Sequence, residues 1–154
     1  MKLRNNWYLK IRGKKKENNM NGNIFKVWGT RRRIFLTDKI ELDLLHLKKN
    51  TFCSSHSHKN KINLFVVISG KVRIETEYGK IILKKNESFE VRPPLKHKFV
   101  ALTKAIMIEI AFVTKDKIDN NDINREKLGG KIIKGKYISI PELRKKGYLE
   151  LDNE

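Results

Sequence analysis

The chain has four histidines, and three of them carry a pattern. His56-Ser57-His58 lies in a β-forming stretch, with Asn63 five residues on, Gly70 beyond it and His97 far along the chain. Side chains alternate faces along a strand, so His56 and His58 point the same way. Two imidazoles on one face, joined by a third from a distant strand, are the donor set of one divalent metal ion: Zn, Mn, Fe or Ni, with Cu also compatible. Three histidines leave a coordination position open, the arrangement of a catalytic zinc rather than a structural one. His46, in Leu45-His46-Leu47, has no such partner and reads as an isolated histidine.

The elements that must position these residues read as strands. Short runs of branched apolar residues are broken by turn residues about every ten positions, the spacing of an all-β sandwich or barrel. The expected strands are Arg33–Leu36, Ile40–Leu47, Ser54–His58, Leu64–Ser69, Val72–Glu77, Lys80–Leu83, Ser88–Val91, Lys98–Ala101 and Ala105–Val113. Ser69-Gly70 and Tyr78-Gly79 read as hairpin turns. Asn50 and Asn86 stand where a left-handed residue is wanted, and Pro93-Pro94 closes a strand. Residues 116–130 read as polar and irregular, and Pro141–Lys146 as a short helix with Gly147 past its end.

On simple alternation Phe52, Ser54, His56 and His58 share one face, and Thr51, Cys53 and Ser55 the other. Cys53 is therefore expected to stay out of reach of the metal. Asn63, Phe65 and Val67 share a face of the next strand, and His97, Phe99 and Ala101 share one after the prolines. The core then has a polar end, His56, His58, Asn63 and His97, and an apolar end, Phe65, Val67 and Phe99.

Composition sets the outer bounds. The 154 residues carry a formal charge of +18, which points to polyanionic partners unless the charge is background. Lys, Asn and Ile are all abundant and the lysines are spread out, so most of the charge reads as the mark of an AT-rich coding sequence. One cysteine excludes an intramolecular disulfide and a Cys-rich zinc motif. No apolar run approaches membrane-spanning length and no apolar segment follows the basic start, so a cytoplasmic protein without membrane contact is expected.

This arrangement resembles the cupin superfamily, a small β-barrel built as a jelly roll. The first cupin motif is Gly, five residues, His-x-His, three or four residues, Glu, six residues, Gly. Here Asn50 stands at the first Gly, His56 and His58 match, Asn63 stands at the Glu, and Gly70 matches. The second motif is Gly, five residues, Pro-x-Gly, two residues, His; Asn86, Arg92 and Pro94 stand at its Gly, Pro and Gly, and His97 matches. Lys26–Thr30, the segment from Cys53 to Lys59, and Phe89-x-Val91 are similar to cupins of the sugar isomerase type, including the cupin part of mannose-6-phosphate isomerase proteins. The resemblance implies an all-β, cupin-type jelly-roll barrel over residues 23–115. A basic extension over 1–22 and a C-terminal extension with a short helix over 116–154 flank it.

The resemblance also implies one divalent metal on His56, His58 and His97, with Asn63 where the family has an anionic glutamate ligand. A neutral, shorter amide lowers affinity for a divalent ion. Glu109 interrupts the apolar run Ile106–Ala111, and related cupins often carry a Glu there; it is the expected acid or base of the cavity. Lys59 and Lys61 are candidate phosphate contacts, whereas Arg31-Arg32-Arg33 reads as a charged, solvated strand edge. Trp28 reads as a packing residue, and Lys96 and Lys98 as surface residues facing away from His97.

The implied function is metal-dependent isomerisation or epimerisation of a sugar or sugar phosphate. A non-catalytic cupin binding a small molecule or metal, and a dioxygenase-like cupin, stand as alternatives. The expected partner is a small-molecule ligand. Nucleic acid is not expected, because only Trp7 and Tyr8 interleave with the basic tail. Residues 1–23 and 131–154, with strand-like Ile132-Ile133 and Tyr137–Ile140, offer edges for a homodimer.

Overall fold

The computed structural model describes residues 22–149, so the basic tail with Trp7, Tyr8 and Lys14–Lys16 lies outside the described residues. In chain order the strands are β1 (Ile24–Lys26), β2 (Gly29–Leu36), β3 (Ile40–Leu47), β4 (Thr51–Phe52), β5 (Ser55–Ser57), β6 (Ile62–Ser69) and β7 (Val72–Thr76). Then follow β8 (Gly79–Leu83), β9 (Ser88–Val91), β10 (His97–Ala101), β11 (Ala105–Phe112), β12 (Asn124–Lys127), β13 (Gly130–Ile133) and β14 (Lys136–Ser139), and last the helix α1 (Ile140–Lys145). None of the described helical residues forms a span long and apolar enough to cross a membrane.

Two antiparallel sheets face each other. The first runs β1-β2-β3-β11-β6-β9, and the second β12-β5-β10-β4-β13-β14, with β7 on the far edge of β10 and β8 beside β7. This is the jelly-roll barrel that the resemblance implies, and it bears out the all-β reading of the strand spacing. In β3 every second residue is buried, Glu41, Asp43, Leu45 and Leu47, while Leu42 and Leu44 face outward. The core between the sheets is built on Leu45, Phe65, Val67, Ile74, Phe99 and Met107, with Trp28 and Phe89 packed against it.

Several turns follow their chemistry. Asn50 (φ 59°) and Asn86 (φ 69°) both adopt the left-handed conformation that asparagine tolerates better than other non-glycine residues. Tyr78-Gly79 closes the hairpin of β7 and β8. Ser69-Gly70 does not close a hairpin: β6 and β7 belong to different sheets, so this turn carries the chain across the barrel. In α1, Pro141 sits in the first turn, Glu142 accepts the Ser139 N–H at 3.1 Å, Leu143 is fully buried and Gly147 follows the end.

The segment expected to be irregular contains a strand. Residues 124–127, Asn-Arg-Glu-Lys, pair with β5 although all four are exposed, so hydrogen bonding across the sheet edge makes this strand, with no apolar pattern to announce it. The strand-like residues 130–139 form a hairpin whose first strand pairs with β4 of the same chain.

Gly29 shows how tight the barrel is beside the site. It has φ 143° and pairs with Leu47, and a Cβ there would lie 1.8 Å from the His46 carbonyl oxygen. Gly29→Ala is expected to cost at least about 2 kcal/mol in urea unfolding, because both the contact and the backbone conformation oppose a side chain.

Candidate metal centre

His97 is the first residue of β10 and stands directly across from His56 in β5, while His58 lies one residue past the end of β5. Strand pairing thus brings residues 41 positions apart onto one patch. The ring centroids are 4.6 Å apart for His56 and His97, 5.1 Å for His56 and His58, and 5.5 Å for His58 and His97. One ring nitrogen from each histidine lies within 4.8 Å of the others.

The other nitrogens are all engaged by main chain. Nδ1 of His56 donates to the Ser54 carbonyl at 2.8 Å, that of His58 to the Asp122 carbonyl at 2.5 Å, and that of His97 to the Leu95 carbonyl at 3.0 Å. A carbonyl can only accept, so each Nδ1 carries the proton and each Nε2 is left with a lone pair. Metal-binding histidines are oriented in this way. His97 is 2% exposed, and its buried Nε2 has no hydrogen-bond partner. A buried acceptor left unmade is costly, and a cation at the meeting point of the three Nε2 atoms would relieve that cost. The donor set therefore fits a divalent metal.

Burial pushes the His56 imidazole down to about 3, with the neighbouring His97 and His58 adding to the effect, and His97 down to about 4. His58 is lowered too, again chiefly by burial. The three rings are neutral at ordinary pH, the state a metal needs.

Asn63 is 1% exposed and joins the triad to Glu109. Its amide nitrogen donates to Glu109 Oε1 at 2.8 Å and lies 3.5 Å from His58 Nε2, while its Oδ1 is buried without a partner. A half-turn of the amide exchanges these two atoms. Glu109 reaches the cavity from β11, opposite Asp43 of β3. Burial, reinforced by Asp43 and Glu41 and opposed by Arg31 and Lys61, pushes its carboxyl up to about 7.

The cavity holding these groups measures about 460 Å³. Trp28, Arg31, Glu41, Asp43, Lys61 and Arg125 also line it. Trp28 packs edge-on against Phe99 at 5.3 Å. The arginine run is not the solvated edge that sequence suggests. Arg33 holds Asp43 through two hydrogen bonds, Nε to Oδ1 at 2.5 Å and Nη2 to Oδ2 at 3.2 Å, and Arg31 faces the cavity 3.8 Å from the same carboxylate. Only Arg32 points outward, as alternation requires. Of the two candidate lysines, Lys59 is exposed outside this cavity, whereas Lys61 is 7% exposed and lines it. Lys96 and Lys98 pair on the outside with Glu126 and Glu75.

Simple alternation fails between β4 and β5. His97 pairs with His56 and Val100 with Phe52, so three steps on β10 face four on the other strand. The extra residue is a bulge that reverses the faces. Phe52 turns outward onto Tyr137 at 5.1 Å, and Cys53 turns inward, 6% exposed, its sulfur accepting the Phe99 N–H at 3.2 Å. Cys53 is outside the metal-ligating group even so.

Asp122 is a residue that sequence reasoning passes over. Its carbonyl holds His58, and its carboxylate accepts the N–H groups of Lys59, Asn60 and Lys61 at 2.5, 2.8 and 3.1 Å. It lies 64 positions from His58 in an apparently featureless segment, and no local signal announces the contact.

Fold and site together define a cupin: a jelly-roll barrel with an inward-facing histidine cluster on the strands of its second sheet. The profile of the family described as "Mannose-6-phosphate isomerase C-terminal" matches residues 13–127, and the chain belongs to that family. No curated protein matches the chain significantly. KdgF from a Halomonas species superposes with a TM-score of 0.57 at 17% identity, over 64% of this chain and 93% of that one. An RmlC-like cupin from Shewanella frigidimarina gives 0.56 at 17% identity, over 65% and 90%. Oxalate decarboxylase from Bacillus subtilis gives 0.57 at 18% identity, over 70% of this chain and 30% of its own. At these identities the likeness shows the fold alone.

The shifted groups set the pH dependence of the metal-free protein. His56 and His97 are depressed from 6.5, so their contribution is present above that value and is lost as pH falls toward 4 and 3. Glu109 is raised from 4.5 to about 7, so its contribution is present below 4.5 and is lost as pH rises through 7. Glu109→Gln is therefore expected to stabilise the metal-free protein at pH 8 by about 3 kcal/mol relative to its effect at pH 4, read from urea midpoints.

Proposed function

We propose that this chain is a single-metal cupin enzyme that isomerises or epimerises a sugar or sugar phosphate. The observation that carries the proposal is the convergence of three imidazoles beside a buried carboxyl, with the Asn63 amide lying between His58 and Glu109. His56, His58 and His97 would hold the divalent ion, Zn, Mn, Fe or Ni, with Asn63 at its side. When bound, such an ion polarises a carbonyl or hydroxyl oxygen as a Lewis acid.

The chain's own residues supply the rest. Glu109, poised near 7, takes a proton from the carbon beside the polarised oxygen and returns it to the product. The Asn63 amide donates to the Glu109 carboxyl and aims it at the triad. Lys61, buried in the cavity wall with no ion pair among the described residues, is suited to the phosphate of a sugar phosphate. Phe65, Phe99 and Trp28 close the apolar side and exclude water.

A second reading, a cupin that binds a small molecule without turning it over, is favoured by Asn63. The neutral amide withholds the negative charge that the superfamily's glutamate gives the metal.

The two readings separate on protein purified without a metal-affinity tag. The enzyme reading expects about one divalent ion per chain, its loss in His97→Ala, and hexose-phosphate isomerisation that falls at least ~100-fold in Glu109→Gln with metal retained. Metal present without turnover supports the binding reading. Substoichiometric metal that His97→Ala leaves unchanged contradicts the enzyme reading.

A further inference from the structure

We infer that Glu41 is a specificity residue of the cavity, where one of its carboxylate oxygens takes the hydrogen of a hydroxyl on a polyhydroxylated ligand. The inference rests on the proposed function for its ligand class, a sugar or sugar phosphate. Two buried side-chain oxygens in the cavity wall have no hydrogen-bond partner, Glu41 Oε1 and Asn63 Oδ1. A half-turn of the Asn63 amide exchanges its oxygen for a donor nitrogen. Glu41 has no such alternative, because both terminal atoms of a carboxylate only accept. Arg33 Nη2 lies 3.6 Å from the other oxygen, Oε2, and its hydrogen bonds go to Asp43 instead. A carboxylate oxygen shut away from water without a donor is costly, and a ligand hydroxyl would relieve that cost.

The register of the first sheet makes room for that hydroxyl. Glu41 of β3 pairs with Ala111 of β11, and Ala111 pairs with Asn63 of β6. All three residues line the cavity. Ala111 carries only a methyl group, so it floors a notch between two acceptors that stand two strand spacings, about 10 Å, apart by backbone. The rows that follow toward the core carry larger side chains at the same place. Glu109 stands between Asp43 and Phe65, and Met107 between Leu45 and Val67.

The charges around Glu41 select a neutral donor. A ligand ammonium would meet Arg33 beside Glu41 and Arg31 beside Asp43. A ligand anion would meet the carboxyl groups of Glu41, Asp43 and Glu109 in the same wall. A hydroxyl meets neither repulsion and supplies the hydrogen that Oε1 lacks. Lys61 lies on the Asn63 side of the notch, two residues before it in the chain. The phosphate of a sugar phosphate and the hydroxyl held by Glu41 therefore belong to opposite flanks of Ala111.

The test is titration calorimetry of the zinc-loaded full chain with glucitol-6-phosphate, which has no carbonyl to isomerise and so reads binding apart from turnover. The expected result is saturable binding that removal of one particular hydroxyl, in a series of monodeoxy derivatives, weakens ~10–100-fold. Glu41→Met should weaken binding of the parent compound by a similar factor and be indifferent to the loss of that hydroxyl. A merely structural defect would weaken both compounds alike. Ala111→Val leaves Glu41 in place and narrows the notch. It should weaken the parent at least ~10-fold with zinc content and circular dichroism unchanged, and it decides the matter if Glu41→Met does not fold. No binding of the parent at ~10 mM, no single hydroxyl that matters, additive losses in Glu41→Met, or wild-type affinity in Ala111→Val each overturns the inference. Hexose-phosphate turnover with binding indifferent to Glu41 overturns it and leaves the isomerase reading standing. Glu41-dependent binding without turnover supports it and removes the isomerase reading.

Discussion

Three imidazole N–H groups, each donating to a main-chain carbonyl, constrain everything else in this protein. The carbonyls of Ser54, Leu95 and Asp122 set the ring orientations and leave the Nε2 atoms facing one another in a buried space. The Nε2 of His97 is thereby a buried acceptor without a partner, a cost that a bound cation would offset. Each carbonyl belongs to a different stretch of backbone. The bulge before β5 supplies one, the turn before β10 another, and the segment before β12 the third. Asp122 ties that last segment to the His58 loop by three further hydrogen bonds, so the site is braced from outside its own strands.

The alternation of β11 separates the chemistry of the protein from its packing. Glu109 points into the cavity, where burial and the carboxylates of β3 hold its proton more tightly than water would. Its neighbours Ile108 and Ile110 point out onto the opposite face. Arg33 spans the two functions differently: by gripping Asp43 it lets a buried carboxylate stand beside Glu109. One strand thus serves as cavity wall on one side and as surface on the other, and a shift of its register by one residue would exchange the two.

Much of this was legible in the sequence because period-two patterning and turn chemistry are local signals. Ile40–Leu47 and Ser88–Val91 fall where alternation places them, and Asn50 and Asn86 take the left-handed conformation their turns demand. The histidine cluster followed from motif spacing, since strand pairing converts a fixed register into proximity. What was hidden is non-local. The bulge at Cys53-Ser54 depends on which residue β10 presents, so simple alternation placed Cys53 and Phe52 on the wrong faces. β12 has no apolar residue and becomes a strand only because β5 has an open edge. The inward turn of Arg31 and Arg33 depends on carboxylates that β3 brings beside them, and Asp122 reaches His58 across 64 positions.

X-ray absorption at the metal edge of the metal-loaded full chain tests the account most directly. Three imidazole nitrogens at ~2.0–2.1 Å, with the remaining scatterers oxygen, is the result predicted from the convergence of His56, His58 and His97. A first shell without imidazole scattering, or one containing the sulfur of Cys53, would contradict it.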